Sequence, residues 1–217
     1  MSDAVTKKKQ GRRPGRPRSF DREAVLAQAM LTFWKHGYEG ASIPLLTEAM
    51  GITPQSLYAA FQSKETLYQE ALEYYAHAVA AHAARALTEE ADIFAAVGRS
   101  LRESAESFTD RKSPRGCMIS LEMLSCSPGG EAAAVHAREL RRAAIARMRS
   151  RLEKAVREKQ LPRDVEVGKL ARFFYAVVQG MASQARDGAS RRELLGIGEM
   201  ALQSLRNLGK SSEVPIK

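Results

Sequence analysis

An all-α fold is predicted for this 217-residue chain by three observations. Ala, Leu, Glu, Arg and Met dominate, β-branched residues never alternate through five positions, and apolar side chains recur three and four residues apart between Gly and Pro punctuation. The elements follow in order. Residues 1 to 18 are expected to be a disordered arm, because Gly11-Arg12-Arg13-Pro14-Gly15-Arg16-Pro17-Arg18 is rich in Pro and Gly and has no apolar side chain to bury. Asp21 can cap a first helix that runs to about His36, with Leu26, Ala29, Met30, Phe33 and Trp34 on its inner face and Gly37 ending it.

Ser42 and Thr53 are hydroxyl N-caps of two short helices, and Pro44 and Pro54 occupy first turns, where a missing N–H costs nothing. Gly51 falls between the pair, where the backbone must turn with positive φ. Leu46, Ala49, Met50, Ile52, Leu57 and Phe61 are spaced to meet inside the crossing, while Thr53, Gln55, Ser56 and Ala59 point away. Ser63 is read as the cap of a fourth helix from Lys64 to about Leu87, striped by Leu67, Ala71, Leu72, Tyr75 and Val79. Further helices are expected at about 91 to 109, 115 to 125, 130 to 159, 165 to 186 and 190 to 207, separated by Pro114, Pro128-Gly129-Gly130, Pro162 and Gly188.

Two capped helices pinched around one glycine form the pattern of a helix-turn-helix, whose second helix enters the major groove of DNA and reads base edges near its N-terminus. An ordinary αα corner has similar spacing, so the charge distribution matters. The arm holds seven basic side chains against Asp3, six of the nine net positive charges, whereas residues 19 to 68 carry a net charge of about −2. Arg13, Arg16 and Arg18 therefore suit a narrow minor groove, and the Gly-Arg-Pro core resembles an AT-hook. An architectural DNA binder that uses the arm without sequence choice is the alternative within this class.

Other classes are poorly served. The longest stretch free of Asp, Glu, Lys and Arg, from Ala49 to Ser63, contains Gly51 and Pro54 and falls short of a membrane span. No apolar segment follows the basic N-terminus, so no secretory signal is read, and a cytoplasmic protein is expected. His36, His77, His82 and His136 lack metal-ligand spacing, and there is no Gly-x-Ser-x-Gly. No catalytic residue, cofactor or metal is assigned. The expected organisation is a basic arm over 1–18, a helix-turn-helix headpiece over 19–66, a larger helical domain over 67–208 and a disordered tail over 209–217.

Over residues 19 to 72 the chain resembles a TetR/AcrR-type transcriptional regulator, through Ala29, Phe33, Gly37, Tyr38, Ser42, Ile43, Leu46, Met50, Gly51, Ile52, Leu57, Tyr58, Phe61, Lys64, Glu65 and Leu67. The resemblance implies a helical homodimer on a palindromic operator in double-stranded DNA, with a C-terminal domain that binds a small-molecule effector. It implies base contacts from Thr53, Gln55 and Ser56 and phosphate contacts from Ser42, Tyr58 and Lys64. Charge agrees, since Lys64 sits at the positive end of the fourth helix. Ala59 and Ala60 depart from the pattern, standing where many relatives have an aromatic residue or histidine.

The last two long helices carry apolar stripes, and the resemblance implies a dimer interface there through Phe173, Val177, Gly180, Leu194, Met200 and Leu205. An intramolecular core explains the same stripes. Phe94, Phe108, Cys117, Met118, Met123, Phe174, Tyr175 and Met181 are candidate effector-pocket residues, although plain core packing accounts for such a set as well. Cys117, beside Arg115, is a candidate redox or electrophile sensor. A soft-metal site joining Cys117 to Cys126 would need a broken helix, because nine residues on a continuous one put the two on opposite faces. Both cysteines also suit a buried apolar role.

Overall fold

The computed structural model describes residues 20–121 and 131–210, and every element among them is a helix. Arg13, Arg16 and Arg18 of the arm, together with Met123 and Cys126, lie outside the described residues.

Helix α1 (Arg22–Gly40) begins where expected: the Asp21 carboxylate accepts from the N–H groups of Glu23 and Ala24. Its regular path breaks at Gly37, with φ 71° and ψ 173°, a backbone region open in practice to glycine alone. Leu26, Ala29, Met30, Phe33 and Trp34 are all buried. They meet α2 (Ile43–Met50) and α4 (Lys64–Ala78), while α3 (Pro54–Phe61) spans α2 and α4. Helix α4 crosses the expected 66/67 domain boundary without a break and buries Leu67, Tyr68, Ala71, Leu72 and Tyr75.

The expected fourth helix does not continue to Leu87. It ends at Ala78, and α5 (Ala81–Glu89) starts afresh after a two-residue turn. No Gly or Pro marks this corner. The N–H groups of Val79 and Ala80 both donate to the Tyr75 carbonyl, at 2.9 and 3.0 Å, which closes α4 on a wider turn. Helix α5 then packs chiefly on α6 (Ile93–Phe108), a contact that local spacing does not encode. The connecting loop is pinned from a distance. Arg151 donates to the carbonyls of Glu90 and Ala91, and the Gln160 side chain bonds the Ile93 N–H and the Ala91 carbonyl.

After a loop come the short α7 (Met118–Leu121), the long α8 (Glu131–Arg157), α9 (Val167–Arg186) and α10 (Arg191–Lys210). Helix α7 starts three residues later than expected, behind Gly116 at φ 85°. Helix α10 runs to Lys210, so Gly209 and Lys210 belong to a helix and not to a tail. A Cβ on Gly209 would come within 3.1 Å of the Phe94 ring, so this turn closes on α6 only because it lacks one. One continuous apolar core joins all these helices, and no described helix is long and apolar enough to cross a membrane.

Candidate DNA interface and internal cavity

Local capping sets the helix pair. Ser42 Oγ accepts from the Leu45 N–H, and Thr53 Oγ1 accepts from the Ser56 N–H at 3.2 Å. Gly51, at φ 65° and ψ 29°, turns the chain between them, and the Ile52 N–H closes back on the Thr47 carbonyl. Leu46, Met50, Leu57 and Phe61 are buried as expected. Ala49 is exposed, contrary to expectation, because the inner arc of α2 is centred between Leu46, Met50 and Thr47 and leaves Ala49 on its flank. Buried Thr47 satisfies its hydroxyl on the carbonyls of Ile43 and Pro44.

The opposite edge of α3 is polar and open. Thr53, Gln55, Tyr58 and Ala59 are exposed and Ser56 is half-buried. The hydroxyls of Thr53 and Ser56 lie 3.0 Å apart, so each orients the other at the head of the helix. Tyr58, which core packing would have hidden, is 47% exposed. Three residues past Ala60, Ser63 caps α4 by accepting from the Thr66 N–H, and Lys64 is its first residue. The Lys64 Nζ lies 4.4 Å from the centroid of the Tyr38 ring. Partial burial holds the Lys64 pKa below its usual value, and the Glu39 carboxylate works in the other direction. Arg22 braces the same region, its guanidinium 4.5 Å from the Phe61 ring centroid and paired with Glu70 at 2.6 Å. The Tyr38 and Arg22 contacts each join residues more than 25 positions apart, and no local pattern announces them.

A cavity of about 1010 Å³ opens between α4, α5, α6, α8 and α9. Of the candidate effector-pocket residues, Phe108, Cys117, Phe174 and Tyr175 line it. Met118 and Met181 are buried in the surrounding core, and Phe94 lies against Gly209 in a separate depression beside α10. Tyr75, Ser120, Met148 and Arg191 also line the cavity, and the sequence did not single them out for it. Buried Cys117 receives the Ser120 N–H on its sulfur at 3.4 Å. Burial pushes the Tyr175 phenol up to about 12, and Tyr75, buried against Cys117, titrates well above the ordinary tyrosine range.

On α9 and α10 the candidate interface residues divide. Phe173 and Met200 are exposed, at 42% and 76%, and Val177 and Gly180 are half-buried. Leu194 and Leu205 are wholly buried. Eleven residues apart, they share the side of α10 that packs on α6 and α9, so they belong to the intramolecular core and are not available to a partner.

Residues 25–71 match the family model described as bacterial regulatory proteins, tetR family. The chain is 34% identical over 196 residues to the HTH-type transcriptional repressor ComR of Escherichia coli (strain K12), covering 87% of this chain and 90% of ComR. It is 29% identical over 205 residues to the HTH-type transcriptional repressor BdcR of the same organism, covering 93% and 97%. Among solved structures it is similar to the TetR family transcriptional regulator CifR, as a cysteine mutant complexed with 26-base-pair double-strand operator DNA. The TM-score is 0.84 and the identity 39%, over 88% of this chain and 100% of that one.

Proposed function

The chain belongs to the tetR family of bacterial regulatory proteins, and from that premise we propose that it is a dimeric, sequence-specific repressor released from its operator by a small effector. The observation that carries this reading is the polarity of α3. Its core side, Leu57 and Phe61, is sealed in the headpiece, while Thr53, Gln55, Ser56 and Tyr58 line the open edge at and beyond its N-terminus. In this reading Thr53, Gln55 and Ser56 meet bases, while Ser42, Tyr58 and Lys64 hold phosphates. Arg13, Arg16 and Arg18 follow the minor groove and supply much of the salt-dependent affinity. The headpiece, residues 19–66, is carried by α4 on an effector and dimerisation domain spanning 67–208. Exposed Phe173 and Met200, with half-buried Val177 and Gly180, meet the same residues of a second copy, which sets two reading heads about one helical turn, ~34 to 36 Å, apart.

The cavity is the effector site, and Tyr75 places part of its wall on the helix that carries the headpiece. A second reading makes Cys117 the sensing group, favoured by its place among the residues that line the cavity. Selection of duplexes from a random pool, followed by competition with unrelated DNA and light scattering of the complex, tests the main reading. It expects one palindrome to be strongly preferred, with two chains per duplex. Equal affinity for all duplexes would replace it with an architectural role for the arm.

A further inference from the structure

The Lys64 side chain rests on a built platform. The Gly37 backbone leaves the helical path just before Tyr38. The Tyr38 ring thereby meets Tyr68 edge-on at 5.1 Å and 64°, and Phe33 packs edge-on to the same Tyr68 at 4.9 Å. Phe33 and Tyr68 are completely buried, so the ring they support has little freedom to move. The Lys64 ammonium lies over this ring at 4.4 Å, where the quadrupole of the aromatic face attracts a cation.

We propose that Tyr38 is a positioning residue for the phosphate contact of Lys64, holding the ammonium at the head of α4 before DNA arrives. The proposal rests on Lys64 being a phosphate contact. Lysine is among the side chains that lose most rotamer freedom on binding, and a platform removes part of that loss in advance. Partial burial also strips some water from the ammonium ahead of the encounter and lowers its pKa, and the Glu39 carboxylate opposes that drop.

The test is a double-mutant cycle on the full chain. Fluorescence anisotropy is measured on a duplex selected by the wild type and on an unrelated one, across a salt series. Tyr38→Phe keeps the ring and is expected to retain both affinity and salt slope. Tyr38→Leu is expected to weaken binding about two- to fivefold on both duplexes and to make the slope shallower, by less than the ~0.9 that Lys64→Ala removes. On the Lys64→Ala background, Tyr38→Leu should cost nothing more. An equal cost on both backgrounds would make Tyr38 a packing residue and overturn the proposal while leaving Lys64 on its phosphate. An unchanged slope in Lys64→Ala itself would remove the phosphate reading, and the proposal with it. Should Tyr38→Leu fail to fold, the wild type still decides: the Lys64 ε-methylene protons must show an upfield ring-current shift by NMR, and its absence refutes the platform.

Discussion

The Trp34 indole on α1 and the Tyr75 ring on α4 meet edge to face, with centroids 4.8 Å apart and planes at 77°. Trp34 belongs to the headpiece, and Tyr75 lines the cavity. One aromatic contact therefore joins the wall of the cavity to the helix that supports the helix-turn-helix pair. Both rings are buried, so Tyr75 cannot shift without disturbing Trp34. Trp34 is the only tryptophan of the chain, which makes the contact observable. An effector that fills the cavity is expected to change Trp34 emission with the same midpoint at which operator DNA is released, in parallel fluorescence and anisotropy titrations. Release of DNA with unaltered emission would show that the signal bypasses this ring pair.

Two glycines hold positive φ in the headpiece, and they differ in kind. Gly51 takes the left-handed helical conformation, whereas Gly37, at ψ 173°, sits where a Cβ is far less tolerated. Neither would find an atom within 4 Å of an added Cβ, so substitution by alanine tests the backbone alone. Gly37→Ala is expected to cost ~1–3 kcal/mol and Gly51→Ala about 1 kcal/mol, read as shifts of the urea midpoint at constant m-value. A larger loss at Gly51 would reverse the assignment of strain.

How far the sequence foretold this architecture depends on the range of the forces involved. The starts of α1 to α4 were legible because Asp21, Ser42, Thr53 and Ser63 each bond an N–H two or three residues ahead. The corner at Val79–Ala80 was not, since it follows from α5 packing on α6 and no breaker residue marks it. Periodicity found the stripe containing Leu194, Met200 and Leu205, but only packing sorted buried Leu194 and Leu205 from exposed Met200. For the candidate interface, the motif supplied both Lys64 and Tyr38 but not their contact, because the cluster of Phe33, Tyr38, Lys64 and Tyr68 spans 36 positions of chain.

Helix α10 begins with a reciprocal cap that gives a pH dependence. The Glu193 carboxylate accepts from both the N–H and the hydroxyl of Ser190 at 2.7 Å, and the Glu193 N–H donates to Ser190 Oγ. These bonds favour the ionised form and lower the Glu193 pKa from 4.5, the Ser190 hydroxyl being the main cause. A depressed folded-state pKa means that the cap is fully in place above about pH 4.5 and is lost as pH falls through the lowered value. The first turn of α10 is therefore expected to fray in acid, seen as faster amide exchange near residues 190–194. Ser190→Ala should return the Glu193 titration by NMR toward the ordinary glutamate value. A titration unmoved by that change would show that the Ser190 hydroxyl does not hold the carboxylate.

Gln55 separates base reading from charge. It is exposed in the first turn of α3, next to the coupled hydroxyls of Thr53 and Ser56, and it carries no charge. An amide placed there can bond adenine N6 and N7 together, a pairing worth ~1–3 kcal/mol of discrimination. Gln55→Ala is accordingly expected to relax base preference at one position of each half-site, by roughly 5- to 150-fold, and to leave preferences elsewhere intact. The salt slope should not change, because no counterion is released on its account. Binding to a panel of single-base operator variants at several salt concentrations reads both effects at once. A uniform loss on every variant would mean that Gln55 supports the fold or the phosphate register and reads no base. An altered slope would mean that the whole head docks differently without it. Only relaxed preference at one position, with the slope preserved, identifies a base contact, since the two kinds of DNA contact respond to different variables.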